Sequence, residues 1–194
     1  MRFSVIVPAH NSAIFIQRGL RSIRRQTFTD YELIVVCDCC TDDTPIIAAD
    51  YADRVEFCAY HRDGMTRNKG LERAQGDWVI FMDDDDWWQS TDAFWIINDH
   101  AVLDAVAFGF YFNGRGIVGP RGNRGFYWPA CWSRAYRREI LDGCRFSDEK
   151  AVSDVAFYKA FMAKRPRIVD IPDVLYYYNY MRPGSQSWRM QNDD

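Results

Sequence analysis

The chain has 194 residues, 48% of them apolar, enough for one compact domain and thin for two. Its 24 basic and 27 acidic residues leave a formal charge of -3, which excludes the electrostatic footprint of a nucleic-acid-binding or polybasic membrane-binding protein. The longest uncharged apolar run, 105–112, falls far short of the roughly 20 residues of a spanning helix, and Pro8 breaks the apolar start before it reads as a signal peptide. A cytoplasmic protein is expected, at most peripheral at the inner face of a membrane.

In chain order, residues 3–7 form a short buried strand ended by Pro8. Asn11 or Ser12 then caps a helix whose apolar residues Ile16, Leu20 and Ile23 recur at helical spacing. Residues 32–37 are a second buried strand, and Thr44 with Pro45 opens the next helix. A third strand covers 55–59, a helix covers 66–75 with Gly76 closing it, and a fourth strand covers 78–82. Strands alternating with helices predict an α/β fold, a doubly wound and mostly parallel sheet. The apolar runs are continuous, as parallel strands covered on both faces require. Ligands of such sheets bind beyond the carboxyl ends of the strands, where strand order reverses.

Past residue 90 the pattern changes. A helix at 91–100 precedes a strand at 105–112, and the glycine-rich stretch 114–125 reads as a mobile loop with almost nothing to bury. Residues 133–141 and 153–164 read as helices, 174–181 as a late strand, and 190–194 as a frayed tail. The cysteines at 37, 39, 40, 58, 131 and 144 lack paired C-x-x-C knuckles and a histidine cluster, so they read as reduced thiols and not a zinc site.

The run Asp83–Asp84–Asp85–Asp86 sits between Phe81, Met82 and Trp87, Trp88, at the edge of a core. Two carboxylates about 4 Å apart repel by on the order of 4 kcal/mol at an effective dielectric near 20. A helix N-terminus would accommodate one or two of them. A calcium loop lacks its terminal glutamate here, and a D-x-D-x-[TV] phosphatase motif is broken by Trp87. What remains is a hard divalent cation, Mn²⁺ or Mg²⁺, held by one or two carboxylates and completed by substrate phosphates.

These pieces, "VIVPAHN", "SIRRQTFTDYELIVVCDCCTDDT", "GMTRNKGLERAQGDWVIFMDDDD", "CWSRAYRREIL" with "RFSDE", "SDVAFYKAF" and "VLYYYNYMRPGSQS", carry a resemblance by their order and spacing. The chain resembles a family 2 glycosyltransferase of the GT-A fold over nearly its whole length. The resemblance implies one domain over 1–194, with a nucleotide-sugar-binding half at 1–100 and a smaller mixed acceptor-side half at 101–194. It implies that Pro8, Ala9, His10 and Asn11 wrap the nucleotide base and that Asp38 accepts the ring N–H of the base. It places Asp83 and Asp85 on the metal, Asp85 as the direct ligand, with Asp84 toward ribose. Arg67 matches a position near the diphosphate, against the alternative of a solvated helix residue. Asp154 matches the catalytic base of an inverting displacement, ionised at neutral pH, against the alternative of a residue that only favours the helix dipole.

The implied donor is a nucleoside-diphosphate sugar, a UDP-sugar, and the implied acceptor a hydroxyl of a glycan, lipid-linked or protein acceptor in cell-envelope glycan synthesis. Two departures stand out: Cys39–Cys40 replace the family's Gly-Ser turn, and Ser153–Asp154 replaces its Glu-Asp pair. Trp87, Trp88, Trp128, Trp132 and Trp188 could stack on sugars, but most are expected in the core. A non-catalytic sugar-nucleotide-binding module remains open, as does, less strongly, a nucleotidyltransferase, whose Gly-rich basic loop "PAHNS" does not supply.

Overall fold

A computed structural model describes residues 2–122, 125–127, 129–149 and 153–180. Strands β1 (Phe3–Ala9), β2 (Tyr31–Asp38), β3 (Arg54–Cys58) and β4 (Trp78–Phe81) lie parallel in the order β3-β2-β1-β4. The crossovers carry α1 (Ile16–Arg24), α2 (Thr44–Tyr51) and α3 (Asp63–Arg73). All seven residues of β1 are buried. Phe3, Val5 and Val7 join one apolar cluster with Leu20 and Ile23 of α1, while Ile6 joins a second with Leu71 of α3. Packing on both faces is why the apolar runs do not alternate.

The chain continues through β5 (Trp87–Trp88), α4 (Ala93–His100), β6 (Ala105–Phe112), β7 (Gly116–Val118), β8 (Arg134–Arg137), α5 (Ser153–Ala163) and β9 (Ile168–Tyr178). Beyond β4 the sheet runs β8-β6-β9-β5, with β7 paired to β6, giving nine strands in one mixed sheet among the described residues. β8 is antiparallel to both neighbours, and β9 is parallel to β6. No described helix is long and apolar enough to cross a membrane.

Several local expectations are corrected. β1 does not stop at Pro8 but runs to Ala9, pairing with Val36 and Cys37. Its β4 ladder ends at Ile6–Phe81, so the missing proline N–H falls where β4 offers no further partner. Neither Asn11 nor Ser12 caps α1, because a turn at 13–15 intervenes. Instead Ser12 N–H donates to Thr44 Oγ1 at 2.8 Å and Asn11 Oδ1 accepts from Thr41 N–H at 2.7 Å. These bonds tie the loop after β1 to the loop after β2. Thr44 is accordingly the first residue of α2 and not its cap. Helix α3 begins three residues earlier than expected and ends at Arg73, so Gly76 does not close it. A Cβ at residue 76 would lie 2.6 Å from the Ser4 nitrogen, so close backbone approach is what glycine serves there.

The expected helix over 133–141 is strand β8 between two 3-10 turns, Cys131–Ser133 and Arg138–Leu141. The slot between β4 and β6 holds backbone groups that a strand satisfies. Ala135 and Tyr136 enter opposite clusters, as strand alternation permits. Within 114–125, residues Gly116–Val118 form a hairpin with β6, Val118 facing Phe110, where a mobile loop was expected. Arg121 in this stretch is paired with Asp170 at 2.5 Å. Residues 123 and 124, Trp128, Trp188 and the 190–194 tail lie outside the described residues.

Candidate active site

β1, β2 and β4 end on the same edge, and the sheet order reverses between β1 and β4. The four acids follow β4 there, and each has a different environment. Asp83 Oδ1 accepts from Arg67 Nη2 at 2.6 Å. Asp84 Oδ2 accepts from the His10 backbone N–H at 3.3 Å. Asp85 is half-buried, and its carbonyl accepts from Arg18 Nη2 at 3.4 Å. Asp86 turns inward and is fully buried, accepting from the Tyr176 hydroxyl at 2.7 Å and the Asn179 N–H at 2.8 Å. Burial, with the charges of Asp85 and Asp83 behind it, pushes the Asp86 carboxyl well up. The inward acid therefore ties β9 to the turn, a role the sequence reading did not assign, since nothing in four identical residues marks which one faces in.

Arg67 is buried, so the solvated alternative does not hold. Its guanidinium meets Asp63 at 2.7 Å and Asp83 at 2.6 Å, with Asp154 at 3.8 Å. One cation thus gathers carboxylates from α3, the β4 turn and α5. Burial works against its charge, but Asp83 and the other acids outweigh it and raise its proton affinity further. Asp154 stands in the first turn of α5, with Oδ2 accepting from Cys131 N–H at 3.1 Å. Burial outweighs the Arg67 charge at Asp154, and Asp83 adds to it, so the carboxyl is raised above its ordinary value, where the helix dipole and cation alone would have lowered it. Ser153 is buried and donates to Asp63 Oδ2 at 3.0 Å, linking α5 to α3. Asp63 was missed as well, although its i,i+4 spacing to Arg67 is legible in the sequence.

Asp38, at the end of β2, is 3% exposed. Its carboxylate accepts from Tyr60 N–H at 2.7 Å, Arg62 N–H at 3.0 Å and the Thr66 hydroxyl at 3.0 Å. Burial opposes ionisation, yet the N–H groups of His61, Tyr60 and Arg62 and the Thr66 hydroxyl hold the pKa below its usual value. His10 Nδ1 donates to the Asp38 carbonyl at 2.6 Å, so the loop after β1 and the end of β2 form one wall. Pro8 and Ala9 lie buried beneath it, and Asn11 is exposed with φ 47. Cys39 has φ 51, the left-handed conformation that glycine adopts most readily, so the turn after Asp38 keeps that backbone with a cysteine in it. Trp88 and Trp132 are core residues, while Trp87 is half-buried and stacks on Tyr177 with ring centres 3.7 Å apart.

Residues 4–148 match the family model described as Glycosyl transferase family 2, well over half of the chain. The chain belongs to glycosyl transferase family 2. Over 116 residues it is 36% identical to the poly(ribitol-phosphate) beta-N-acetylglucosaminyltransferase TarS of Staphylococcus aureus, a match covering 56% of this chain and 19% of the relative. EpsJ of Bacillus subtilis, an uncharacterized glycosyltransferase, is 29% identical over 208 aligned residues, covering 90% of this chain and 60% of the relative. Among solved structures, S. aureus TarS 1-349 with UDP-GlcNAc superposes with TM-score 0.80 at 28% identity, covering 97% of this chain and 61% of that one. A Pyrobaculum calidifontis mannosyltransferase bound to GDP-Man and Mn²⁺ shares the fold, with TM-score 0.76 at 22% identity over 98% of this chain and 60% of that one. The fold of this family 2 chain is therefore GT-A. It spans from 19% to 60% of the length of the two curated relatives above.

The residues present fit the divalent cation expected of a GT-A enzyme. Among the described residues no group of three His, Cys, Asp or Glu side chains is arranged to hold a metal ion by itself. Asp83 and Asp85 still offer hard carboxylate oxygens from half-buried positions at the turn. Two carboxylates with phosphate and water oxygens make the shell that Mg²⁺-like ions take.

Proposed function

We propose that this chain carries an inverting glycosyltransferase activity, moving a sugar from a UDP-linked donor to an acceptor hydroxyl in cell-envelope glycan synthesis. The observation that carries it is the single guanidinium of Arg67 holding Asp83 and Asp154, which brings a donor-side acid and an acceptor-side acid to one point. Support for the donor comes from the UDP-GlcNAc complex of S. aureus TarS. Support for the acceptor class comes from relatives named for poly(ribitol-phosphate) and for a diphosphoundecaprenol-linked glycan.

Asp154 takes the proton of the acceptor hydroxyl. Its raised proton affinity suits that task, since a general base works best when its pKa approaches the working pH. The Cys131 N–H fixes one of its oxygens, and Arg67 limits how far the pKa climbs. Asp83 and Asp85 hold the divalent ion, Mn²⁺ or Mg²⁺, which when bound offsets the charge of the departing diphosphate. His10 and Asn11, above Pro8 and Ala9, wall the base pocket, and Asp84 lies toward ribose. Asp38 acts as a positioning residue, because its carboxylate already holds the backbone of 60–62. Arg67 likewise positions the acids from beneath the diphosphate site.

The test is nucleoside-diphosphate release from UDP-GlcNAc, UDP-glucose and GDP-mannose with Mn²⁺, with and without EDTA. UDP release from at least one UDP-sugar, abolished by EDTA, is expected. Tight binding with no release from any donor would make the chain a sugar-nucleotide-binding module.

A further inference from the structure

A groove of about 740 Å³ opens between α1 and the segment around β5, lined among others by Arg18, Arg21, Arg25, Gln17, Trp87 and Ser90. The three arginines fall at i, i+3 and i+7 and share one helix face, spanning about 10 Å at 1.5 Å per residue. All three are exposed, and α1 contains no acidic residue to neutralise them. Arg24 on the same helix shows the contrast: it turns to Asp53 at 2.9 Å and serves packing. Arg21 and Arg25 have no ionic partner among the described residues. The stripe is thus a local positive site on a chain whose formal charge is -3.

We propose that this groove binds a polyanionic chain, the phosphate- or carboxylate-bearing part of the acceptor. Guanidinium forks match phosphate and carboxylate oxygens in pairs, and three along one face suit charges repeated along a chain. Arg18 joins the groove to the acidic turn, lying 3.4 Å over the Trp87 ring while Nη2 reaches the Asp85 carbonyl. A chain seated there runs up to the turn proposed to hold the donor. The site is concave, which suits a chain and not a flat bilayer. Naming the chain as acceptor rests on the transferase reading; the binding site itself does not.

The full chain is titrated with fluorescent linear polyphosphate and with polygalacturonate, alongside neutral dextran and phosphatidylglycerol vesicles. Binding to at least one polyanion is expected, weakening as salt rises, with none to dextran. The R21Q/R25Q double variant should bind it at least about tenfold more weakly, while R24Q stays within about twofold. UDP–Mn²⁺ affinity should be unchanged in both variants, and thermal stability unchanged in R21Q/R25Q. Undiminished binding by R21Q/R25Q overturns the proposal, and so does binding to vesicles but to neither chain. If UDP-sugar turnover fails while arginine-dependent polyanion binding persists, the transferase reading falls and the groove stands.

Discussion

Arg67 and Asp154 constrain each other across 3.8 Å. Asp154→Asn keeps the shape and removes the proton acceptor, so transfer should fall roughly 10² to 10⁴-fold while UDP–Mn²⁺ binding persists. Steady-state kinetics beside a nucleotide titration would show this, and equal loss of both would make the residue structural. The sign of its pH dependence follows from burial. The base must be unprotonated and its pKa is raised, so the rate should fall with acid along a limb lying above the ordinary aspartate value of about 3.9. A limb at or below that value would place the base elsewhere. Arg67→Gln leaves three carboxylates without their shared cation. A broken buried ion pair costs roughly 3–5 kcal/mol, but these acids keep some contact with water, so about 2 kcal/mol is expected from urea unfolding. A stability equal to wild type would mean that water serves the acids as well as the guanidinium does.

At the scale of elements, α1 sets the position of the acidic turn. A Cβ at residue 19 would stand 2.6 Å from the Asp86 carbonyl oxygen and 2.8 Å from Met82 Cε. The backbone contact is the one that cannot yield cheaply. Gly19→Ala should therefore push the turn off α1, costing about 1–3 kcal/mol of stability and weakening metal-dependent UDP binding. Urea midpoints and calorimetric titration measure the two effects. Wild-type values in both would show that α1 slides without moving Asp83 and Asp85. The inner anchor of the same turn is Asp86, whose bonds to Tyr176 and Asn179 join β9 to the end of β4.

For the whole molecule, one sheet runs through the described parts of both halves. β8 enters between β4 and β6, and Cys131, just before it, meets Asp154 of α5. Helix α5, which carries Asp154, is thereby docked against β4 through Phe157 and Phe81, without a hinge between separate sheets. A ligand that binds only the folded state stabilises it by about 2.7 kcal/mol at 100 times its dissociation constant. UDP with Mn²⁺ should accordingly raise the melting temperature, and EDTA should remove most of the gain. A UDP response indifferent to EDTA and to Asp85→Ala would remove the metal from the reading.

The sequence by itself determined the parallel half and the edge where the site lies. Short unbroken apolar runs alternating with helices fit strands covered on both faces, and the segments 8–11, 38 and 83–86 lie at the carboxyl ends of three of them. Local pattern failed where a distant partner chose the conformation. Residues 134–137 have helical-looking spacing yet form a strand, because β4 and β6 leave a slot whose hydrogen bonds a helix cannot fill. The same holds for side chains. Four consecutive aspartates look alike in sequence, and only the Tyr176 hydroxyl, the Arg67 guanidinium and the His10 N–H, brought in from distant positions, give three of them separate roles. Asp154 was legible as an acid at a helix start, but the direction of its pKa was not. That direction depends on burial and on the charge of Asp83, and both exist only once α5 packs against the end of β4.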